Sequence, residues 1–156
     1  MPEYHYELFA DYFQFYLQDE QAEGDLSNSW TSEAVERMLA LAPGTIGVGT
    51  ARNMTVPVTV EIREFPPQKE DFIIWDQVNE CSIDVPSGSL VIAGCTDDFS
   101  DAVRIPLSPG SYRARIYYGQ LDDLSNDGLE GNDLYKIVLW PSENSELKIL
   151  KQKDSP

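Results

Sequence analysis

From Thr55 to Arg63 the chain alternates without a break: Val56, Val58, Val60 and Ile62 point one way, and Thr55, Thr59, Glu61 and Arg63 point the other. A period of two is that of a half-buried β-strand, because on a helix the same apolar residues would scatter round the axis. The period recurs in Tyr12 to Gln18, with Phe13, Phe15 and Leu17 inward, and in Ser111 to Tyr118, with Tyr112, Ala114, Ile116 and Tyr118 inward. It appears again from Tyr135 to Leu139 about Ile137. Shorter apolar runs over Ile73 to Val85 and Leu90 to Cys95 predict strands near the middle of a sheet. Pro43-Gly44, Pro66-Pro67, Pro86-Ser87-Gly88, Pro109-Gly110 and Asp127-Gly128 interrupt these segments with residues that favour chain reversal.

Ser32 to Leu41 departs from the pattern, placing Val35, Met38, Leu39 and Leu41 close to one helical face. Thr31 is the predicted N-cap, Glu33 and Glu36 suit the positive end, and Trp30 and Val35 have the spacing of a hydrophobic staple. Pro43-Gly44 ends the segment. Hydrophobic residues make up 42% of the 156, enough to bury a sizeable core. The expectation is a mainly β, single-domain antiparallel β-sandwich with one short helix over residues 1–156. Its ordered core runs from about residue 8 to residue 142, and Glu143 to Pro156 forms a polar C-terminal tail.

Charge sets the functional bounds. Asp and Glu number 27 against 11 Lys and Arg, a formal charge of −16. Phosphate backbones and anionic membranes need cations opposite them, so neither nucleic acid nor a membrane is an expected partner. The residues at the start lack the basic and apolar regions of a secretory signal, which predicts a cytoplasmic protein. Arg63, Arg113, Arg115 and Lys136 fall on outward strand positions, where partners such as Glu61 balance them. The acids collect in connections: Asp19, Glu20, Glu23 and Asp25; then Asp97, Asp98 and Asp101; then Asp122, Asp123, Asp127, Glu130 and Asp133. None of the three stretches holds a Lys or Arg. If the later two share an end of the sandwich, they form a negative rim; taken singly, each reads as a solubilising loop.

Motifs for chemistry are sparse. Asp123, Ser125 and Asp127 with Gly128 match the first half of a calcium loop, but Leu134 stands where a bidentate Glu belongs, so a polar hairpin is the preferred reading. Gly44 to Gly49 is glycine-rich but lacks the phosphate-binding Lys and reads as the start of a strand. His5 is the single histidine and neither Cys81 nor Cys95 has a base beside it, so no catalytic residue, metal or cofactor is assigned. A hairpin turn at Ser87-Gly88-Ser89 would set Cys81 opposite Cys95, Ile83 opposite Ala93 and Val85 opposite Val91, with both cysteines as reduced core thiols.

Four segments, in order, carry a family resemblance: Tyr12-Phe13-Gln14-Phe15, Trp30-Thr31-Ser32-Glu33-Ala34-Val35-Glu36, Ala51-Arg52-Asn53 and Pro109-Gly110-Ser111-Tyr112. Over Tyr12 to Val138 the chain resembles the ComJ family, competence-associated inhibitors of a DNA-entry nuclease. The stretches from Pro66 to Trp75 and from Gly119 to Asp133 are longer and more acidic than the family pattern. The resemblance implies a small non-enzymatic protein whose partner is a basic protein, a nuclease, blocked at its cleft; charge supports this independently through electrostatic steering. The residues expected to meet the partner are Asp97, Asp98, Asp101, Asp122, Asp123, Asp127, Glu130 and Asp133, with Tyr117 and Tyr118 as aromatic anchors. Trp30, Thr31 and Arg52 match the pattern but read as structural, Arg52 by pairing with an acid or shaping a turn. The alternatives are a β-sandwich module binding calcium or a small ligand, and an uncharacterised hydrolase.

Overall fold

Each alternating segment has one apolar face, and two sheets bury those faces against each other. The structure, a computed structural model, describes residues 2–153. Within them β1 (Glu3–Phe9), β2 (Gln14–Asp19), β3 (Leu39–Ala42), β4 (Thr45–Gly49), β5 (Thr55–Ile62) and β6 (Gln77–Val85) are joined by α1 (Ser32–Arg37). They are followed by β7 (Ser89–Gly94), β8 (Val103–Pro106), β9 (Gly110–Gly119), β10 (Leu134–Pro141) and β11 (Lys148–Lys151). One sheet has the order β1-β5-β10-β9-β6-β11 and the other β3-β4-β2-β7-β8. Between them lie Val56, Val58 and Val60, Tyr112, Ala114, Ile116 and Tyr118, and Ile137 and Leu139 from the first sheet. Phe15, Leu17, Ile46, Val48, Leu90, Ile92 and Ile105 answer from the second.

The sandwich is therefore mainly β with one short helix, as the periodicity predicts, but its details depart from expectation at several points. The pairing of β10 with β5 is parallel, inside sheets otherwise antiparallel. β6 and β7 do not form a hairpin: β6 pairs with β9 and β11, β7 pairs with β2 and β8, and the turn at Pro86 to Gly88 carries the chain from one sheet to the other. Cys81 and Cys95 therefore do not face each other and both are free thiols. Cys81 is fully buried, which pushes its pKa up to about 12, whereas half-buried Cys95 meets the Tyr16 hydroxyl at 3.1 Å. The run predicted from Ile73 starts as a strand only at Gln77, leaving Ile73 and Ile74 exposed. The ends expected to be loose are strands here: β1 lies along β5, and β11 lies along β6. Asp154 to Pro156 of the expected tail lie outside the described residues.

The helix is shorter than its apolar pattern. The Thr31 hydroxyl accepts from Ala34 N at 3.2 Å, the expected cap, but the helix stops at Arg37 and Met38 turns into the left-handed region at φ 63°. The released carbonyls are used by the sheets: Asn79 Nδ2 donates to Arg37 O at 2.8 Å, and Met38 O accepts from Tyr118 Oη at 2.6 Å and Gly49 N at 2.9 Å. Leu39 and Leu41 then serve as inner residues of β3, because Leu-Ala-Leu-Ala fits a strand as well as a helix. Trp30 packs on Leu26, Ala34 and Ala40 over the outer face of the second sheet, not on Val35, which is exposed. The outer face of the first sheet is covered too, with Phe72, Trp75 and Leu150 over Val78, Tyr117, Val138 and Trp140.

Candidate functional site

Strand register decides which loops meet. Gln14 opens β2 opposite Gly49, Phe15 follows opposite Val48 and Gly94, Thr50 N donates to Phe13 O at 2.9 Å, and Ala51 N donates to Tyr135 Oη at 2.7 Å. β10 in turn begins with Leu134 opposite Gly119. The ends of β4, β7 and β9 and the starts of β2 and β10 thus lie at one end of the sandwich, so the Asp97–Asp101 and Gln120–Asp133 connections share it. The third acidic stretch does not. Asp19 pairs with Leu90, Glu20 N donates to Ser89 O at 3.0 Å, and Asp19 N donates to Gly44 O at 2.8 Å, all at the opposite end.

At the shared end the acids have different duties. Asp97 Oδ2 accepts from Gly94 N at 2.7 Å and closes the turn after β7. Asp98 caps a 3-10 turn by accepting from Ser100 Oγ and N at 2.8 and 3.0 Å, hydrogen bonds that hold its carboxyl below the usual range. Asp101, Asp123, Asp127 and Glu130 are exposed, and Asp122 reaches Lys153 at 3.2 Å. Asp127 is drawn below the usual range by hydrogen bonds from the Ser125 hydroxyl and Leu129 N. Asp123 accepts from Asn132 Nδ2 at 2.9 Å, so the calcium-loop residues are joined within a polar hairpin closed by the Leu124–Gly131 bridge. Among the described residues no group of three or more His, Cys, Asp or Glu is placed to hold a metal ion.

Three residues expected at a surface are inside. Asp133 is completely buried: its Oδ1 accepts from Arg52 Nε at 2.6 Å and its Oδ2 from Tyr135 Oη at 2.7 Å, while Arg52 Nη1 donates to Leu129 O at 3.2 Å. This is the acid partner anticipated for Arg52, and it ties the long loop to the turn after β4. Tyr118 faces the core and donates to Met38 O. Tyr117 faces the other way but lies under Phe72 and Trp75, its hydroxyl donating to Glu70. Both tyrosines lie on a central strand covered on both faces, and both are buried rather than presented at the surface expected of them.

The exposed aromatic residues lie elsewhere at the same end. Tyr12 and Phe13, at φ 57° and 60°, form a left-handed turn before β2 and are 69% and 52% exposed, although alternation places Phe13 inward. With Gln14, Trp30, Val35, Met38, Gly49 and Thr50 they line a groove of about 530 Å³. Gly49 packs closely there: a Cβ would sit 3.1 Å from Met38 Cα, so the neighbouring chain would have to shift by a few tenths of an ångström. Trp30 Nε1 and Tyr16 Oη both donate to Gln14 Oε1 at 2.9 Å, and Tyr16 then meets Cys95, two residues before Asp97. On its other side the groove reaches Thr50, whose hydroxyl donates to Arg52 O at 2.8 Å and so connects to the anchored long loop. The groove therefore lies at the same end of the sandwich as the two acidic loops.

The fold and this end define a class: a two-sheet β-sandwich that displays acidic loops and an apolar groove together. Within it, the chain shares its fold with ComJ from Bacillus subtilis, inhibitor of the DNA-degrading activity of NucA, with a TM-score of 0.69 at 18% identity, covering 90% of this chain and 98% of ComJ. It is also similar to the protein of crocagin biosynthetic gene J, with a TM-score of 0.61 at 18% identity, covering 92% of this chain and 100% of the other. No protein-family profile and no curated protein sequence matches the chain. No helix among the described residues is long and apolar enough to cross a membrane.

Proposed function

We propose that this protein is a non-catalytic inhibitor of a nuclease, acting in the cytoplasm by seating its acidic end in the partner's basic substrate cleft. The likeness to ComJ over 90% of the chain carries this reading. Physical chemistry supports the mechanism. A nuclease must hold polyphosphate with cations, and a surface bearing Asp97, Asp98, Asp101, Asp122, Asp123, Asp127 and Glu130 offers carboxylates in the same place. Long-range attraction then speeds encounter and rejects acidic partners. The contribution of such rim charges lies mainly in association rate and falls as salt screens it.

The test is degradation of linear DNA by NucA in the presence of increasing protein. Inhibition is expected to weaken as salt rises from about 50 to about 300 mM. The combined substitution Asp97→Asn, Asp98→Asn and Asp101→Asn is expected to weaken it by about tenfold. Inhibition indifferent to both would remove the electrostatic mechanism, and no inhibition at any protein concentration would remove the function.

A further inference from the structure

We propose that the groove between Tyr12, Phe13, Trp30, Val35 and Met38 receives an apolar side chain of the partner protein that is flanked by Lys or Arg. This rests on the inhibitor reading and specifies its contact: the acids steer, and the groove holds. Carboxylates at a rim give rate and selectivity, whereas affinity concentrates where an aromatic or aliphatic side chain is desolvated in a preformed pocket.

The groove has the dimensions and rigidity for that role. Its volume of about 530 Å³ lies within the range of about 300–1,000 Å³ usual for binding pockets. Phe13 N donates to Ala10 O at 3.1 Å and Tyr12 N to Asp11 Oδ1 at 3.1 Å, which fixes the aromatic turn on one side. Met38 is held by Gly49 and Tyr118 on the other, and Trp30 by Gln14. The Trp30 donor is satisfied internally, so the ring contributes apolar surface. The backbone of the groove therefore needs little ordering on binding.

Charge selects the occupant. No Lys or Arg lines the groove; Asp11 adjoins it, and the two acidic loops lie at the same end of the sandwich. An apolar residue among acids would meet repulsion from these carboxylates, while one among cations gains attraction from this end of the molecule. The same repulsion opposes a second copy of this chain, since two molecules of formal charge −16 would bring their acidic ends together.

The experiment measures fluorescence anisotropy of a labelled Lys-Arg-Phe-Arg-Lys peptide against the whole protein at low salt. It is expected to bind about tenfold more tightly than the same peptide with Ala in place of Phe. A Glu-Glu-Phe-Glu-Glu peptide is expected not to bind. Phe13→Ala and Tyr12→Gly should bring the Phe-to-Ala preference close to one with melting temperatures held. Asp97→Asn with Asp98→Asn should weaken both cationic peptides while keeping the preference. Equal binding of the Phe and Ala peptides, or a preference untouched by Phe13→Ala, overturns the groove assignment. So does sedimentation showing that the protein self-associates through this face and loses the association in Phe13→Ala. The two readings fail separately: a retained Phe preference without NucA inhibition removes the inhibitor function alone, and NucA inhibition undiminished by Phe13→Ala removes the groove alone.

Discussion

Tyr12 and Phe13 hold a backbone conformation that costs an L-residue roughly 1–2 kcal/mol each, since Cβ crowds the following carbonyl oxygen. Glycine relieves that crowding but adds about 1 kcal/mol of entropy to the unfolded chain. Tyr12→Gly and Phe13→Gly should therefore stay within about 1 kcal/mol of the parent, a melting shift of roughly 3 °C or less by calorimetry. Glu80 behaves in the opposite way. Its Oε2 accepts from Arg113 Nε at 2.9 Å and its Oε1 from Arg115 Nη2 at 2.9 Å. Burial raises its pKa, but the guanidinium hydrogen bonds, Arg113 foremost, outweigh this and hold the carboxyl below the ordinary value. A depressed carboxylate stabilises the fold above its unfolded pKa and loses that contribution as pH falls through the folded one. Glu80→Gln leaves a buried guanidinium uncompensated, so it should cost about 3 kcal/mol near neutral pH. Its penalty should shrink as pH drops below about 4.5, measured by urea unfolding across that range.

At the scale of elements, two close approaches hold the shared end together. Asp133 and Arg52 join the long loop to the turn between β4 and β5, and Asp133→Asn removes the charge opposite a nearly buried guanidinium. A loss of about 3 kcal/mol is expected, together with faster amide hydrogen exchange across residues 120–133 than across β9 or β10. Gly94 is the second. A Cβ there would collide with the Phe9 carbonyl oxygen, so Gly94→Ala forces β1 away from the end of β7. The overpacking penalty is about 1–3 kcal/mol, read as a lower midpoint in denaturant.

For the whole molecule, charge acts on stability and binding in opposite directions. A net −16 repels itself in the compact state, and salt shortens the range of that repulsion. Raising salt from about 20 to about 200 mM should increase the melting temperature of the free protein while weakening its complex with a basic nuclease. Asn substitutions at Asp101, Asp123 and Glu130→Gln, all exposed, should likewise leave the melting temperature level or higher and slow association.

Much of the local structure was legible in the chain because its causes are local. The alternation in β5, β9 and β10 follows from side chains leaving a strand on opposite faces, and the Thr31 cap follows from the free amides of a helix start. Acidity of the loops is likewise a property of the sequence alone. What only the tertiary structure decided is what covers each face and which connections become neighbours. Tyr117 and Asp133 resemble surface residues until an outer layer and Arg52 enclose them, whereas Tyr118 follows the inward alternation of its own strand into the core, and Phe13 continues an inward alternation until β2 begins one residue later. The Pro86–Gly88 turn reads as a hairpin but changes sheets, and that change sets β7, with the acidic loop after it, beside β2 rather than beside β6. Period and turn chemistry depend on a few adjacent residues, whereas sheet membership depends on which arrangement buries both apolar faces at once, a choice made by residues far apart in the chain.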